Sequence, residues 1–331
     1  MDEGSLLILV IILAVTFDFI NGFHDTANAI ATVVSTRVLT PNVAIIMAAG
    51  LNFLGALSGT AVAKTVGSGI VGTSVSQEVV IAALIGAIVW NLITWYLGIP
   101  SSSSHALIGG LVGGGIAHAG LDQVHWPILW NKVLLPLAGS PIVGFFGGWV
   151  IMNLLLRIFA QFSPLFVGKI FRNGQVLSSA FMAFSHGSND AQKTMGIITL
   201  ALIAAGKIPA QPFHVPIWVI VLSAVAMAFG TAGGGWRIIH TMGTKLTQLT
   251  PIHGFAAETS AATIIEAASR FGLPLSTTHV ISSTILGVGS SKRFKSVRWI
   301  VARGLFQAWI FTIPATSLIA FLSYSLLTKL F

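Results

Sequence analysis

Two carboxylates stand where the chain can least easily keep them. Asp25 falls inside an apolar run from Leu6 to about Val34, within the stretch Asn21-Gly22-Phe23-His24-Asp25-Thr26-Ala27-Asn28. Asp190 falls inside a second such run, within His186-Gly187-Ser188-Asn189-Asp190-Ala191-Gln192-Lys193. A bare carboxylate in hydrocarbon costs several kcal/mol, so neither can lie passively in lipid. The two stretches align at an offset of 165, Gly22 against Gly187 and Asp25 against Asp190. One polar interruption is a kink. Two in matching halves point to a site at a repeat interface, with the helix broken at each.

The surrounding composition says what kind of medium the chain occupies. Of 331 residues, 54% are hydrophobic and only 8% charged, against about 25% charged in soluble domains. Mean hydropathy is +0.89. The apolar runs, roughly 16 to 30 residues long and rich in Ala, Gly and Leu, have helical span length and lack the ten-residue alternation of a barrel. The net charge of +8 would suggest nucleic acid in a soluble protein. Here Lys169, Arg172, Lys292, Arg293, Lys295 and Arg298 fall between apolar runs, so topology is the simpler cause and no nucleic acid is expected. The absence of Cys excludes disulfides and thiolate metal sites. The first run has no basic leader and is expected to be a retained span, not a cleaved signal.

Taken in order, the chain divides into an N-terminal membrane repeat at 1–160, a short connecting loop at 161–175 and a C-terminal repeat at 176–331. Residues 42–62 read as the second span, 64–77 as a loop or unwound segment, and 78–97 as the third span. The segments 106–119 and 280–289 are short for a hydrocarbon core that needs about 20 helical residues, which marks them as re-entrant or broken. Residues 121–132 read as an interfacial loop. If every apolar segment crosses, each half crosses five times. Basic loops at 169–172 and 292–298 then both face the cytoplasm, and both termini lie outside. An odd count inserts the second half in the opposite sense. The expected fold is therefore all-α and polytopic, with two inverted-topology repeats, broken helices and re-entrant helical hairpins.

A second duplication carries chemistry. Gly98-Ile99-Pro100-Ser101-Ser102-Ser103-Ser104-His105 matches Gly272-Leu273-Pro274-Leu275-Ser276-Thr277-Thr278-His279 at an offset of 174. Proline followed by hydroxyl residues opens a helix. The first N–H groups of a helix have no partner within it and form a positively polarised cup suited to a small oxyanion. The hydroxyls of Ser102, Ser103, Ser104, Ser276, Thr277 and Thr278 add donors. An ordinary helix start in a surface loop would explain either motif singly, but not their match over eight positions.

Asp25 and Asp190 would repel an anion unless a cation lay between. With Asn28, Asn189 and carbonyls of an unwound helix they compose a hard-cation site that suits sodium, or a proton carried on an aspartate. Glu258 is a candidate third ion ligand, and Glu78 a boundary residue. Capping a broken helix, or pairing with Lys193, is the structural alternative for the aspartates. His24, His186 and Lys193 neighbour them, and His105 and His279 follow the hydroxyl clusters; all five are supporting candidates. No His-Glu-x-x-His spacing and no Gly-Lys-Ser/Thr loop exists, so neither a zinc hydrolase nor a nucleotide site is supported.

At these residues the chain resembles the inorganic phosphate transporter family, over nearly its whole length. The Gly-x-x-Asp-x-x-Asn-Ala signature stands at Gly22, Asp25, Asn28 and Ala29. The second copy departs from it, with Gln192-Lys193-Thr194 after Asp190, in a Ser-His-Gly-x-Asn-Asp-Ala-Gln-Lys form also familiar in that family. The resemblance implies secondary-active import of orthophosphate across the cytoplasmic (inner) membrane, driven by sodium or protons, by a homodimer without further cofactor and without enzymatic activity. It implies cation binding at Asp25, Asn28, Asn189 and Asp190. Phosphate would be bound at Ser102–Ser104 and Ser276–Thr278, with Thr26, Asn28 and Asn189 contributing. Sodium is the favoured coupling ion. A proton-coupled phosphate or sulfate permease and an anion channel are the alternatives.

Overall fold

The computed structural model describes residues 2–69 and 76–330. They form thirteen α-helices. In order these are α1 (Glu3–Ser35), α2 (Pro41–Ala56), α3 (Ala61–Gly69), α4 (Gln77–Leu97) and α5 (Ser103–Ala119). The short α6 (Trp126–Ile128) runs through a π-helical turn, Leu129–Leu134, into α7 (Leu135–Ile158). There follow α8 (Pro164–Ala204), α9 (Ile217–Gly233) and α10 (Trp236–His240), which continues as the π-helical turn Thr241–Lys245. Last come α11 (Pro251–Arg270), α12 (Thr277–Ser290) and α13 (Trp299–Leu330).

Prolines set many of the starts. Pro41, Pro164 and Pro251 each occupy a first turn, where the missing N–H costs nothing. Ser163 Oγ accepts from the Phe166 N–H, and Thr250 forms a capping box with His253. The ends of α4 and α11 are built alike. Gly98 (φ 66°) and Gly272 (φ 67°) take the left-handed conformation that glycine adopts without strain. In each case the next two N–H groups fold back on the last turn: Gly98 to Trp95 O and Ile99 to Thr94 O, Gly272 to Ser269 O and Leu273 to Ala268 O.

Packing repeats the duplication, but exchanged between halves. α1 lies on α9 while α8 lies on α2; α5 lies on α13 while α12 lies on α7. Within halves, α4 contacts α1 and α5 as α11 contacts α8 and α12. Two apolar cores result. Residues 7–17 of α1 join the first, with Ala106–Leu111 of α5 and Ala191–Leu202 of α8. Residues 27–33 of α1 join the second, with Met182 and Ala183 of α8 and Val280–Val288 of α12. α1 thus passes from the first core to the second and α8 from the second to the first, the opposed sense of an inverted repeat. The buried polar residues Asp18, Asn21, His24 and Asp25 of α1 and Ser185–Asp190 of α8 fall in a band between the stretches that join the two cores. The outer faces of α7 (Ile142, Phe146, Val150) and α13 (Ile310, Phe311, Leu318) are apolar and exposed, as a lipid-facing surface requires.

Several expectations change. The helices are not broken at the aspartates: α1 and α8 run unbroken through both signatures. Their backbone groups are satisfied along the helix while the polar side chains turn to one inner face, so no unwound carbonyls are offered there. The breaks fall elsewhere, at a 72° bend between α2 and α3 and a 63° bend between α9 and α10 with its π turn. Of the loop expected at 64–77, Lys64 to Gly69 is helical, and 70–75 lie outside the described residues. The connecting loop expected at 161–175 is helical from Pro164. The interfacial loop at 121–132 is partly α6 and a π-helical turn. By length and composition four helices qualify as spans, or six with each bent pair counted once, among the described residues. A count of ten requires every apolar segment to cross, more than qualify by that test. α5 and α12, with 17 and 14 residues, reach only about 25 and 21 Å at 1.5 Å per residue, short of a 30 Å hydrocarbon core.

Candidate functional site

The tips of α5 and α12 meet in the polar band. Ser102 and Ser276 are their N-caps, each accepting at 3.2 Å from the N–H three residues on, of His105 and His279. Capping therefore occupies Ser102 and Ser276, and the next residues supply the hydroxyls that reach α1 and α8. Ser103 Oγ donates to Asp25 Oδ2 at 3.4 Å, and Thr277 Oγ1 to Asp190 Oδ2 at 3.1 Å. Asn28 Nδ2 crosses between halves to Thr277 and Thr278 at 3.2 and 3.0 Å. Lys193 Nζ crosses the other way, to Ser104 at 2.5 Å, and also bonds Asp190 Oδ1 at 2.5 Å. No side chain of this set is more than 3% exposed, so the site is closed to bulk water from both faces.

The histidines divide into two roles. His24 Nδ1 meets Asp25 Oδ1 at 2.5 Å, and its Nε2 lies 3.1 Å from Thr94 and 3.5 Å from Ser101. His186 Nε2 lies 3.4 Å from Asp190, its Nδ1 3.1 Å from Asn52. His24 is bonded to its carboxylate, whereas His186 Nε2 approaches Asp190 without a hydrogen bond. His105 and His279 instead meet edge to face at 4.3 Å, and His279 stacks on Trp309, whose Nε1 donates to Pro100 O at 3.1 Å. They clamp the two tips together and make no bond to either aspartate.

Three expected ligands stand apart. Glu258 accepts from Thr32, Ser178 and Gln175, the last at 3.1 Å, and bonds neither aspartate. Thr32 lies one turn beyond Asn28, which places this carboxylate at another depth. The Thr26 hydroxyl turns back to Gly22 O at 2.6 Å and to Thr231 O at 3.3 Å. Asn189 donates to Ser269 at 2.8 Å and Leu273 O at 3.4 Å, steadying the α11–α12 turn, with its Oδ1 unpartnered.

One group was not foreseen. Asp18 is fully buried on α1, within electrostatic reach of Asp190 and Lys193. Neither of its oxygens reaches hydrogen-bond geometry, although Thr194 lies beside it. The signal was available: Asp18, Asn21, Asp25, Asn28 and Thr32 are spaced 3, 4, 3 and 4 apart, a polar stripe down one helix face. Chemically, Asp25, Asp190 and His186 bring one ligand atom each within 4.8 Å of one another, close enough for one cation. The two carboxylates and the unpartnered Asn28 Oδ1 are hard oxygen donors of the kind sodium prefers, and the imidazole suits a softer ion. The hydroxyls and free N–H groups at the facing tips suit an oxyanion beside that cation.

Fold and side chains together define a polytopic all-α membrane protein with a buried cluster of carboxylate, hydroxyl and basic groups between inverted halves. A family model described as the phosphate transporter family matches residues 21–320. The chain belongs to that family. It is 47% identical over 325 residues to a probable low-affinity inorganic phosphate transporter of Rhizobium meliloti (strain 1021), covering 96% of each chain. It is 46% identical over 329 residues to the protein of the same description in Bacillus subtilis (strain 168), covering 98% of each. Among solved structures, one described as the sodium-dependent phosphate transporter superposes with a TM-score of 0.89 at 26% identity, covering 99% of this chain and 100% of that one.

Proposed function

We propose that the protein is a secondary-active symporter of inorganic phosphate, driven by sodium, in the cytoplasmic membrane. The observation that carries this is the meeting of two capped helix tips between two buried aspartates, at the level where the two apolar cores part. Phosphate binds at the tips, to the hydroxyls of Ser103, Ser104, Thr277 and Thr278 and to first-turn N–H groups. Ser102 and Ser276 hold those turns open by capping. Sodium binds at Asp25, Asn28 and Asp190 and offsets the repulsion between carboxylates and anion. A half-loaded site leaves buried charge unpaired, which penalises a change of face without both substrates. The repeats lie at 1–160 and 176–331, both termini are extracytoplasmic, and two copies associate as a dimer.

Phosphate uptake into proteoliposomes, with sodium and pH gradients imposed separately, tests this. The expected result is uptake driven by sodium at clamped pH, and its loss in Asp25→Ala and Asp190→Ala. Uptake that follows the proton gradient alone would reassign the coupling to protons. The contact of His24 with Asp25, and of His186 with Asp190, gives that second reading protonatable pairs. Equal competition by sulfate would overturn phosphate specificity, and conductance far above carrier rates would make the protein a channel.

A further inference from the structure

At the helix tips the contacts of the two halves run in parallel, while the residues one turn past each aspartate differ in charge. The offset of 165 pairs Asp25 with Asp190, and the offset of 174 pairs Ser103 with Thr277 and Ser104 with Thr278. The Ser103–Asp25 bond is therefore the counterpart of the Thr277–Asp190 bond. The same offset places Asn28 opposite Lys193. Asn28 bonds Thr278 and Lys193 bonds Ser104, again counterparts. The bond to the tip hydroxyl is kept and the charge is not. One half has a neutral amide, with its Oδ1 unpartnered although Asn28 is only 1% exposed. The other has an ammonium, equally buried and 2.5 Å from its carboxylate.

Building on the symport reading above, we infer that Lys193 is a tethered cation. Its ammonium permanently fills, at Asp190, the position that Asn28 leaves to a mobile sodium ion at Asp25. The site therefore moves one coupling ion fewer per phosphate than a site with an amide in both halves would. Three things support this. Nζ sits on Asp190 Oδ1 and on a tip hydroxyl together, as an ion bridging carboxylate and anion site would. The bond pair cannot be solvated, since neither residue is exposed. At the counterpart position Asn28 Oδ1 is buried and has no protein partner, as a vacated ligand to a mobile ion would be.

The test counts ions. Sodium-22 and phosphate-32 uptake are measured in parallel in proteoliposomes at clamped voltage and pH, for the wild type, Lys193→Asn and the reciprocal Asn28→Lys. Lys193→Asn is expected to raise the sodium-to-phosphate ratio by one, and Asn28→Lys to lower it by one. An unchanged ratio in either variant that transports overturns the inference. Should neither carry phosphate, equilibrium sodium-22 binding to the purified monodisperse proteins decides. One more bound ion in Lys193→Asn, or one fewer in Asn28→Lys, supports the tethered cation, and equal counts refute it. Absence of sodium-driven uptake by the wild type would instead sink the sodium symport reading, while the difference in bound sodium between Lys193→Asn and wild type would still decide the role of Lys193.

Discussion

A buried ammonium and a buried carboxylate hold each other in place. Removing one partner from such a pair costs about 3–5 kcal/mol, because the other is left charged and dry. Asp25 is bonded to the His24 imidazole, and Asp190 to the Lys193 ammonium. Asp190→Asn should therefore lower the melting temperature in detergent clearly more than Asp25→Asn, although both should abolish uptake. Equal melting shifts would argue against a charged Lys193–Asp190 pair. Glu258 offers a contrast. Glu258→Ala leaves two hydroxyls and an amide without their acceptor, each orphan worth about 1–3 kcal/mol. The expected outcome is a lower melting temperature with an unchanged ion-to-phosphate ratio in the surviving transport; a changed ratio would return Glu258 to the ion site. The aspartates and the hydroxyl clusters were legible in the sequence because buried charge and helix capping are local chemistry. The isolation of Glu258 was not, because Thr32, Gln175 and Ser178 come from two other helices. Asp18 was legible only as part of a stripe, since its own neighbours are plain apolar residues.

At the scale of elements, α1 and α8 cross their partners at near contact. A Cβ on Gly22 would stand 2.6 Å from Met227 O of α9, and one on Gly187 would collide with Asn52 O of α2. These are counterparts under the same offset, so the signature glycines serve helix crossing and not a kink. Gly22→Ala and Gly187→Ala should each force the crossing apart and reduce uptake at least tenfold, with loss of monodispersity on size exclusion; normal uptake by both would refute the packing role. The unbroken course of α1 and α8 could not be read from composition, because a polar face on a continuous helix and a polar break in an unwound one use the same residues. What separates them is whether neighbouring helices supply partners, and Thr277, Thr278, Ser104 and Asn52 do so here. The tips of α5 and α12 were legible because proline, hydroxyl and left-handed glycine act within one turn.

At the scale of the molecule, the opposite passage of α1 and α8 through the two cores fixes their relative sense but not which face is cytoplasmic. The distribution of basic residues supplies that expectation. The chain has no cysteine, so each engineered thiol reports alone. Cysteines at Lys292 and Lys169 should be blocked by a membrane-impermeant maleimide only in inside-out vesicles, and cysteines at Gly4 and Lys329 only in right-side-out ones. Labelling of all four from one side would refute an odd number of crossings per half.

The exchanged packing has a consequence for synthesis. α5 finds its neighbour α13, and α2 its neighbour α8, only in the other half. While the ribosome is still making α8, the first half has emerged with these surfaces uncovered. It must wait in the bilayer, held by lipid, until the last helix is inserted. Neither half is then a self-sufficient unit, but each is a template for the other. Fragments 1–160 and 161–331, expressed as separate chains, should each be degraded alone and should rescue one another when made together.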